Sequence, residues 1–239
     1  MNAALKVMTL LPWADWAALV WFFAAWLGYA QFASRRAKTE PTLLAATSRV
    51  RRQWMLQTTY RDVRVIDGVI VQNLSTSPSF FASTTILIIG GLLAVLGTTE
   101  RATELVREIP FVERTSVLVF DLKLLLLLVV FIYAFFRFTW SLRQYSFGAL
   151  LVAAAPGPEY FAADDTAREG FADRAGRVMG LAAEAFNSGL RAYYMAFAAI
   201  GWFFSPFVFA VSTAAVVLVL YLREFRSDLL LVLREETAR

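Results

Sequence analysis

Uncharged residues collect into four long runs along this chain of 239 residues. A helix needs about 20 predominantly apolar residues to cross the roughly 30 Å hydrocarbon core of a bilayer. The runs that reach this length are residues 11–32, 79–97, 117–138 and 192–222. The pattern predicts an all-α fold, namely a single polytopic membrane domain with four transmembrane helices and cytoplasmic helical extensions.

The last run is longer than one perpendicular crossing requires and too short for two. Ser205 and Pro206 lie near its middle. Proline lacks a backbone donor, and its ring clashes with the preceding helical turn. We therefore expect residues 192–222 to form one kinked or tilted helix.

Two polar loops, residues 33–78 and 139–191, separate the apolar runs and carry helical signals of their own. Pro41 is placed to open a short helix in the first loop. The apolar segment Tyr145–Ala155 is too short to cross a bilayer, and it ends in a Pro-Gly-Pro sequence. We expect this segment to extend the third helix or to lie at the membrane interface.

The distribution of Lys and Arg predicts an orientation. The first loop carries eight basic residues and the third carries five, whereas the second carries three and the N-terminal segment one. Because cytoplasmic loops are enriched in Lys and Arg, the first and third loops are predicted to be cytoplasmic and both termini to lie outside. The C-terminal tail has four basic and four acidic residues, so it adds little to either side.

The overall composition agrees with a membrane environment. Hydrophobic residues make up 59% of the chain and charged residues only 18%, with a net charge of +4. Basic loops facing anionic lipid headgroups explain this charge more simply than a nucleic-acid partner does. The expected partners are therefore the lipid bilayer and its anionic headgroups.

Cysteine and histidine are both absent, and this excludes several classes of chemistry. The chain has no disulfide, no thiolate nucleophile, no Cys/His zinc site and no haem ligated by these residues. It also lacks a phosphate-binding loop, a nucleophile elbow and paired carboxylates at metal-binding spacing. We expect no catalytic site, no metal and no cofactor, and we predict that the protein is not an enzyme.

Besides Arg137 at the end of the third span, three charged residues fall inside the predicted spans: Asp15, Asp121 and Lys123. Charge within a membrane costs several kcal/mol unless it is paired or hydrated, so such residues are candidates for function. Asp121 and Lys123 point about 200° apart on a helix, which makes Asp15 the natural partner of Lys123. The group is either an ion or proton pathway open to the outer face or a structural ion pair between helices.

A second candidate site lies at the inner boundary of the spans. Gln72 and Asn73 precede the second span, and Arg137 and Arg143 end the third. Amides and guanidinium groups at one depth are suited to an anionic headgroup or substrate. The alternative is that they cap helices and extend to the interface.

Several long segments resemble a known membrane family. They are residues 71–74, 79–85, 121–124, 135–145, 187–194 and 221–227, together with Trp202 and Pro206. They resemble the family catalogued as domain of unknown function 599, in its bacterial branch, for which the name implies no assigned activity. Of the candidate residues, only Asp15 lies outside the resembling segments.

Three functional hypotheses follow for a multi-pass protein of the bacterial inner membrane. The first is an oligomeric channel or small-solute carrier, since four helices are few for a monomeric carrier. The alternative is a structural or partner-binding protein whose basic first loop docks on lipid or on a cytosolic protein. An intramembrane enzyme acting on lipid ranks last, because no nucleophile with an adjacent base is evident.

Overall fold

Every regular element in the described part of the chain is a helix. The computed structural model describes residues 11–36, 42–99, 101–102 and 116–235. The helices are α1 (Trp13–Arg36), α2 (Leu43–Thr58), α3 (Val65–Leu96), α4 (Val117–Ala153), α5 (Pro158–Ala163), α6 (Asp165–Ile200), α7 (Pro206–Phe225) and α8 (Asp228–Glu235), with a 3₁₀ turn at Gly201–Phe203.

Four helical segments are long and apolar enough to cross a membrane. They are Trp13–Arg36, Val65–Leu96, Val117–Ala153 and Pro206–Leu233. Closed backbone hydrogen bonding within each helix suits this environment, since lipid offers no partners to backbone groups. The predicted all-α membrane fold with four such helices is confirmed, and the chain is a multi-pass membrane protein.

The second apolar helix begins much earlier than the sequence predicted. Residues 65–78 were assigned to the polar first loop, but α3 is continuous from Val65 and contains Pro78. The hydroxyls of Ser75 and Thr76 donate to the carbonyl of Gln72 within the same helix. The polarity of these residues predicts a loop. In the helix, however, their hydroxyl groups are satisfied by carbonyls of the preceding turn, so the run remains helical.

The third helix runs past its predicted end at Phe138 and includes most of the short apolar segment. α4 ends at Ala153, so the segment from Tyr145 extends the helix rather than lying apart from it. The Pro-Gly-Pro sequence then ends it, and Pro158 begins α5 with Gly157 as its N-cap. α2 also forms where a short helix was expected, with the Thr42 hydroxyl accepting from the Ala45 amide as its cap.

The expectation of one kinked helix over residues 192–222 is wrong. α6 ends at Ile200, a 3₁₀ turn follows, and α7 begins at Pro206. The hydroxyl of Ser212 donates to the carbonyl of Ala198 at 2.9 Å, so the chain reverses direction. A Cβ at Gly201 would lie 3.2 Å from the Val208 carbonyl oxygen, which shows how closely the backbones approach at this turn.

The chain divides into two compact units, of which the first contains nearly all of α1, most of α7 and parts of α3 and α4. It comprises residues 1–35, 85–133 and 191–222. The ring centroids of Phe22 on α1 and Phe209 on α7 are 5.1 Å apart, and both side chains are fully buried. Tyr29 and Leu220 belong to a further cluster of the same two helices. Aromatic and aliphatic packing therefore holds α7 against α1.

The second unit comprises residues 36–84, 134–190 and 223–239. Its core includes Met55 of α2, Val152 of α4 and Met179 of α6, with Phe161 of α5 beside them. Small residues allow close packing here, because a Cβ at Gly148 would lie 2.5 Å from the terminal methyl of Met179. The apolar face of α2 is thus buried in protein.

The C-terminal helix of the second unit packs on the first loop. α8 contacts α2, and Leu230 on α8 is buried. The backbone N–H of Leu44 donates to Oε1 of Glu224 at 3.2 Å. Groups on opposite faces of a bilayer cannot touch, since about 30 Å of hydrocarbon separates them. Leu44 and Glu224 therefore lie on the same side.

Candidate functional site

Asp15 is a buried carboxylate in the first turn of α1. Only 2% of its surface is exposed. Its Oδ1 accepts a hydrogen bond of 2.6 Å from the indole Nε1 of Trp202. A carboxylate in the first turn also faces the positive end of its own helix dipole. These interactions offset part of the cost of burying it.

Trp202 belongs to the 3₁₀ turn that joins α6 to α7. Its ring stacks on Phe209, with centroids 5.4 Å apart and planes inclined by 17°. Gly201 allows the end of α6 and the start of α7 to approach closely. The indole of Trp202 is enclosed beside this approach and is 1% exposed. A buried indole requires a partner for its single donor, and Asp15 supplies it.

Lys123 of α4 lies on the face of the same indole. Its Nζ is 5.7 Å from the centroid of the Trp202 ring, and the residue is 2% exposed. An ammonium group at this distance is attracted by the negative face of the ring. We call Asp15, Trp202 and Lys123 the polar centre.

Asp121 is partly buried two residues before Lys123. Its Oδ1 is buried and has no hydrogen-bond partner among the described residues, and the same holds for the indole nitrogen of Trp16. Unsatisfied buried polar atoms are uncommon in native proteins and call for an explanation, such as an unseen water or ion.

The sequence analysis identified both charged ends of the polar centre but missed the residue between them. Asp15 and Lys123 were expected to meet, and each contacts Trp202. In the sequence, Trp202 stands out only as part of the family resemblance and by its position three residues before the Ser205-Pro206 pair. That signal was read as a kink, and a kinked helix would not present this side chain on a turn.

The four residues of the predicted inner-face site occupy different environments. Arg137 is partly buried, and its Nη2 donates to the Ser188 hydroxyl at 3.2 Å. Its Nε is buried without a hydrogen-bond partner in the described part of the chain. The side chains of Gln72, Asn73 and Arg143 are exposed, and the Arg143 guanidinium lies 5.4 Å from the Phe147 ring centroid. Only Arg137 therefore has the buried position expected of a binding residue.

A separate cleft of about 500 Å³ lies between α2 and α6 in the second unit. Arg52 forms ion pairs with Asp173 and Glu169 at its edge. The hydrogen bonds that the Arg52 guanidinium donates, chiefly to Asp173 and then to Glu169, raise its pKa. Arg49 and Arg177 also line this cleft, which we call the α2–α6 cleft. The sequence analysis did not identify it.

Acidic residues do not gather into a metal site in the described ranges. No group of three or more Asp or Glu side chains is placed to hold a metal ion there. The polar centre, with one carboxylate, one ammonium group and one indole, is also unsuited to a divalent cation, because hard cations prefer several oxygen ligands.

Comparison with known proteins gives one match. The family model described as "Protein of unknown function, DUF599" matches residues 17–229. No curated protein and no solved structure matches the chain. The matched range contains Lys123 and Trp202 and begins two residues after Asp15. The resemblance seen in the sequence is confirmed for this family.

Proposed function

The chain belongs to the DUF599 family of proteins of unknown function, and we propose that it transfers a small ion or solute across the inner membrane as an oligomer. In this proposal the polar centre is the working site, and Asp15 and Lys123 are the groups that meet the transferred species. Trp202 positions both of them.

The observation that carries the proposal is the burial of opposite charges around one indole. Asp15 and Lys123 are each 2% exposed within the apolar unit. Each buried charge costs several kcal/mol, and apolar replacements of buried ion pairs are often neutral or stabilising. Stability alone therefore gives little reason to place these charges here, whereas an ion or proton pathway requires them.

The break between α6 and α7 supports the same role. Ile200 ends one helix and Pro206 begins the next, with the polar centre beside the break. Helix ends within an apolar region present unpaired carbonyl and amide groups and the ends of helix dipoles. Transport proteins use such interrupted helices to form ion and substrate sites.

The contacts also support a revised orientation. Because α8 packs on α2, we place the C-terminal segment with the first and third loops in the cytoplasm. Seventeen basic residues outside the predicted spans then lie on the cytoplasmic side and four on the outer side. This asymmetry is stronger than in the orientation with both termini outside, as the positive-inside rule favours.

This orientation requires five crossings. In this proposal the C-terminal half of α6, whose apolar end is residues 192–200, forms the additional crossing together with the 3₁₀ turn, and the chain then reverses into α7. Arg191, just before this segment, lies 5.8 Å from the ring centroid of Tyr29, which is near the end of α1. Trp202, after it, contacts Asp15 at the start of α1. The end of α6 thus extends along most of α1.

The alternative of a basic first loop that docks on a partner has less support. Arg52 is engaged by two carboxylates of α6, and Arg61 pairs with Asp67. Arg64 donates to the carbonyls of Ala155 and Pro156. These guanidinium groups hold the second unit together and are less available to a partner.

Reconstitution in liposomes tests the proposal. Purified protein is incorporated, and flux is followed for protons, sodium, potassium and chloride, each with its own reporter dye. We expect a protein-dependent flux of one of these ions, well above that of empty liposomes. A folded, oriented preparation that carries none of them would overturn the ion-transfer proposal.

A further inference from the structure

The α2–α6 cleft is lined by both charged and apolar side chains. Its volume is about 500 Å³, within the range of small-molecule sites. Leu44 and Leu181 contribute apolar surface, and Arg49 and Arg177 contribute guanidinium groups from opposite helices. A ligand that fits it has both an anionic group and an apolar part.

Two arginines of the cleft are uncommitted. Arg52 is neutralised by Asp173 and Glu169, whereas Arg49 and Arg177 form no ion pair within the described residues. Guanidinium groups bind phosphate oxygens in bidentate geometry, and two of them facing one space favour such a group. Glu184 also lines the cleft and leaves these three side chains with a net charge of +1.

The cleft opens where an apolar helix ends. Leu44, which lines it, donates its backbone N–H to the carboxylate of Glu224. Glu224 follows the last apolar residues of α7, after Leu222 and Arg223. The end of a membrane-spanning helix lies at the headgroup level of the bilayer. The cleft is therefore within reach of a lipid headgroup.

From this geometry we infer that the α2–α6 cleft binds the phosphate headgroup of an anionic phospholipid. Arg49 and Arg177 hold the phosphate, and Leu44 and Leu181 contact the glycerol and the first acyl carbons. The site is distinct from the polar centre and does not depend on the proposed transport.

The test measures binding to purified, delipidated protein in an uncharged detergent. Dihexanoyl phosphatidylglycerol is the probe, dihexanoyl phosphatidylcholine has the same phosphate without net charge, and glycerol 3-phosphate lacks acyl chains. The variants are Arg49→Gln and Arg177→Gln. Arg174→Gln is the matched control, since Arg174 is exposed on the same helix and does not line the cleft.

We expect phosphatidylglycerol to bind at least about tenfold more tightly than either other probe. Each cleft variant weakens this binding by about tenfold, as the loss of a charged hydrogen-bond donor predicts. The control leaves it unchanged, and Arg177→Lys retains part of it. Equal affinity for glycerol 3-phosphate or phosphatidylcholine would overturn the inference, as would equal losses in Arg174→Gln and Arg177→Gln.

Discussion

The indole nitrogen of Trp202 donates a 2.6 Å hydrogen bond to the carboxylate of Asp15, across 187 residues of sequence. This bond joins the turn between α6 and α7 to the first turn of α1. It also fixes the indole so that its face meets Lys123. The hydrogen bond therefore contributes both to the packing of the apolar unit and to the charge arrangement of the polar centre.

Replacing Trp202 with phenylalanine tests this contribution. The variant leaves the buried carboxylate of Asp15 without its donor, which costs about 1–3 kcal/mol. We expect a clear fall in the thermal unfolding midpoint in detergent. Trp13→Phe is the control, because Trp13 is 83% exposed and its replacement has little effect. Equal midpoints for the two variants would show that the hydrogen bond does not stabilise the fold.

Asp67 provides a test in the second unit. Its carboxylate is fully buried, and Oδ1 accepts hydrogen bonds from Trp54, Thr58 and Arg61. The Asp67→Asn variant loses charge-assisted bonds, which we expect to cost about 1–3 kcal/mol of unfolding free energy. The share from Arg61 is reduced by solvent, since its side chain is 43% exposed.

The control for Asp67→Asn is Asp62→Asn, which changes an exposed acid in the short connection between α2 and α3. Denaturant unfolding of both variants, monitored by tryptophan fluorescence, gives the comparison. If the two midpoints shift equally, the buried carboxylate is not a stabilising element of this unit.

Two glycines of α6 are predicted to respond in opposite directions to alanine. A Cβ at Gly180 would lie 3.6 Å from the Ser48 hydroxyl, an ordinary contact. Gly180→Ala should therefore stabilise the helix by up to about 1 kcal/mol through its higher helix propensity. A Cβ at Gly176 would lie 2.8 Å from the Arg52 Cα. Gly176→Ala therefore forces α2 away from α6 and lowers the stability of the protein.

Thermal unfolding of the Gly176→Ala and Gly180→Ala variants checks the signs. The residues are one turn apart on the same helix, so each serves as the control for the other. Stabilisation by both substitutions would mean that α2 does not pack on α6 as closely as the structure shows.

The revised orientation is testable because the chain contains no cysteine. Single cysteines at Tyr60, Thr98 and Arg226, all exposed positions, are labelled in intact cells with a membrane-impermeant maleimide. We expect residue 98 to be labelled and residues 60 and 226 to be protected until the cells are opened. Labelling of residue 226 together with residue 98 would restore the orientation with both termini outside.

The sequence predicts the apolar helices well because a bilayer demands long uncharged runs, a signal that is local in the chain. The sequence predicts the ends of the helices less well, because tertiary contacts determine where a helix stops. Pro78 lies inside α3, whereas Pro206 follows a true reversal, and both prolines look alike in sequence. The distinguishing contact, from Ser212 to Ala198, joins two helices and leaves no local pattern.

The same limit applies to the candidate site. Asp15 and Lys123 are identifiable because charge is rare in apolar runs. Trp202 is one of seven tryptophans, and although it belongs to the family resemblance, the sequence does not indicate which residues it contacts. Its contacts depend on the reversal after Ile200. Because a single kinked helix was expected there, the contacts of Trp202 with Asp15 and Lys123 were not predicted. The α2–α6 cleft was missed because it needs two helices far apart in sequence.

The most direct measurement is the ion flux into liposomes that contain the Lys123→Met or the Asp15→Asn variant. The wild type is the reference, and Arg143→Gln, which changes an exposed charge, is the control. Flux is expressed per folded protein, with folding verified by size-exclusion profile and unfolding midpoint. The account predicts at least a tenfold loss of flux in both polar-centre variants and none in the control. Wild-type flux in folded Lys123→Met and Asp15→Asn would contradict it.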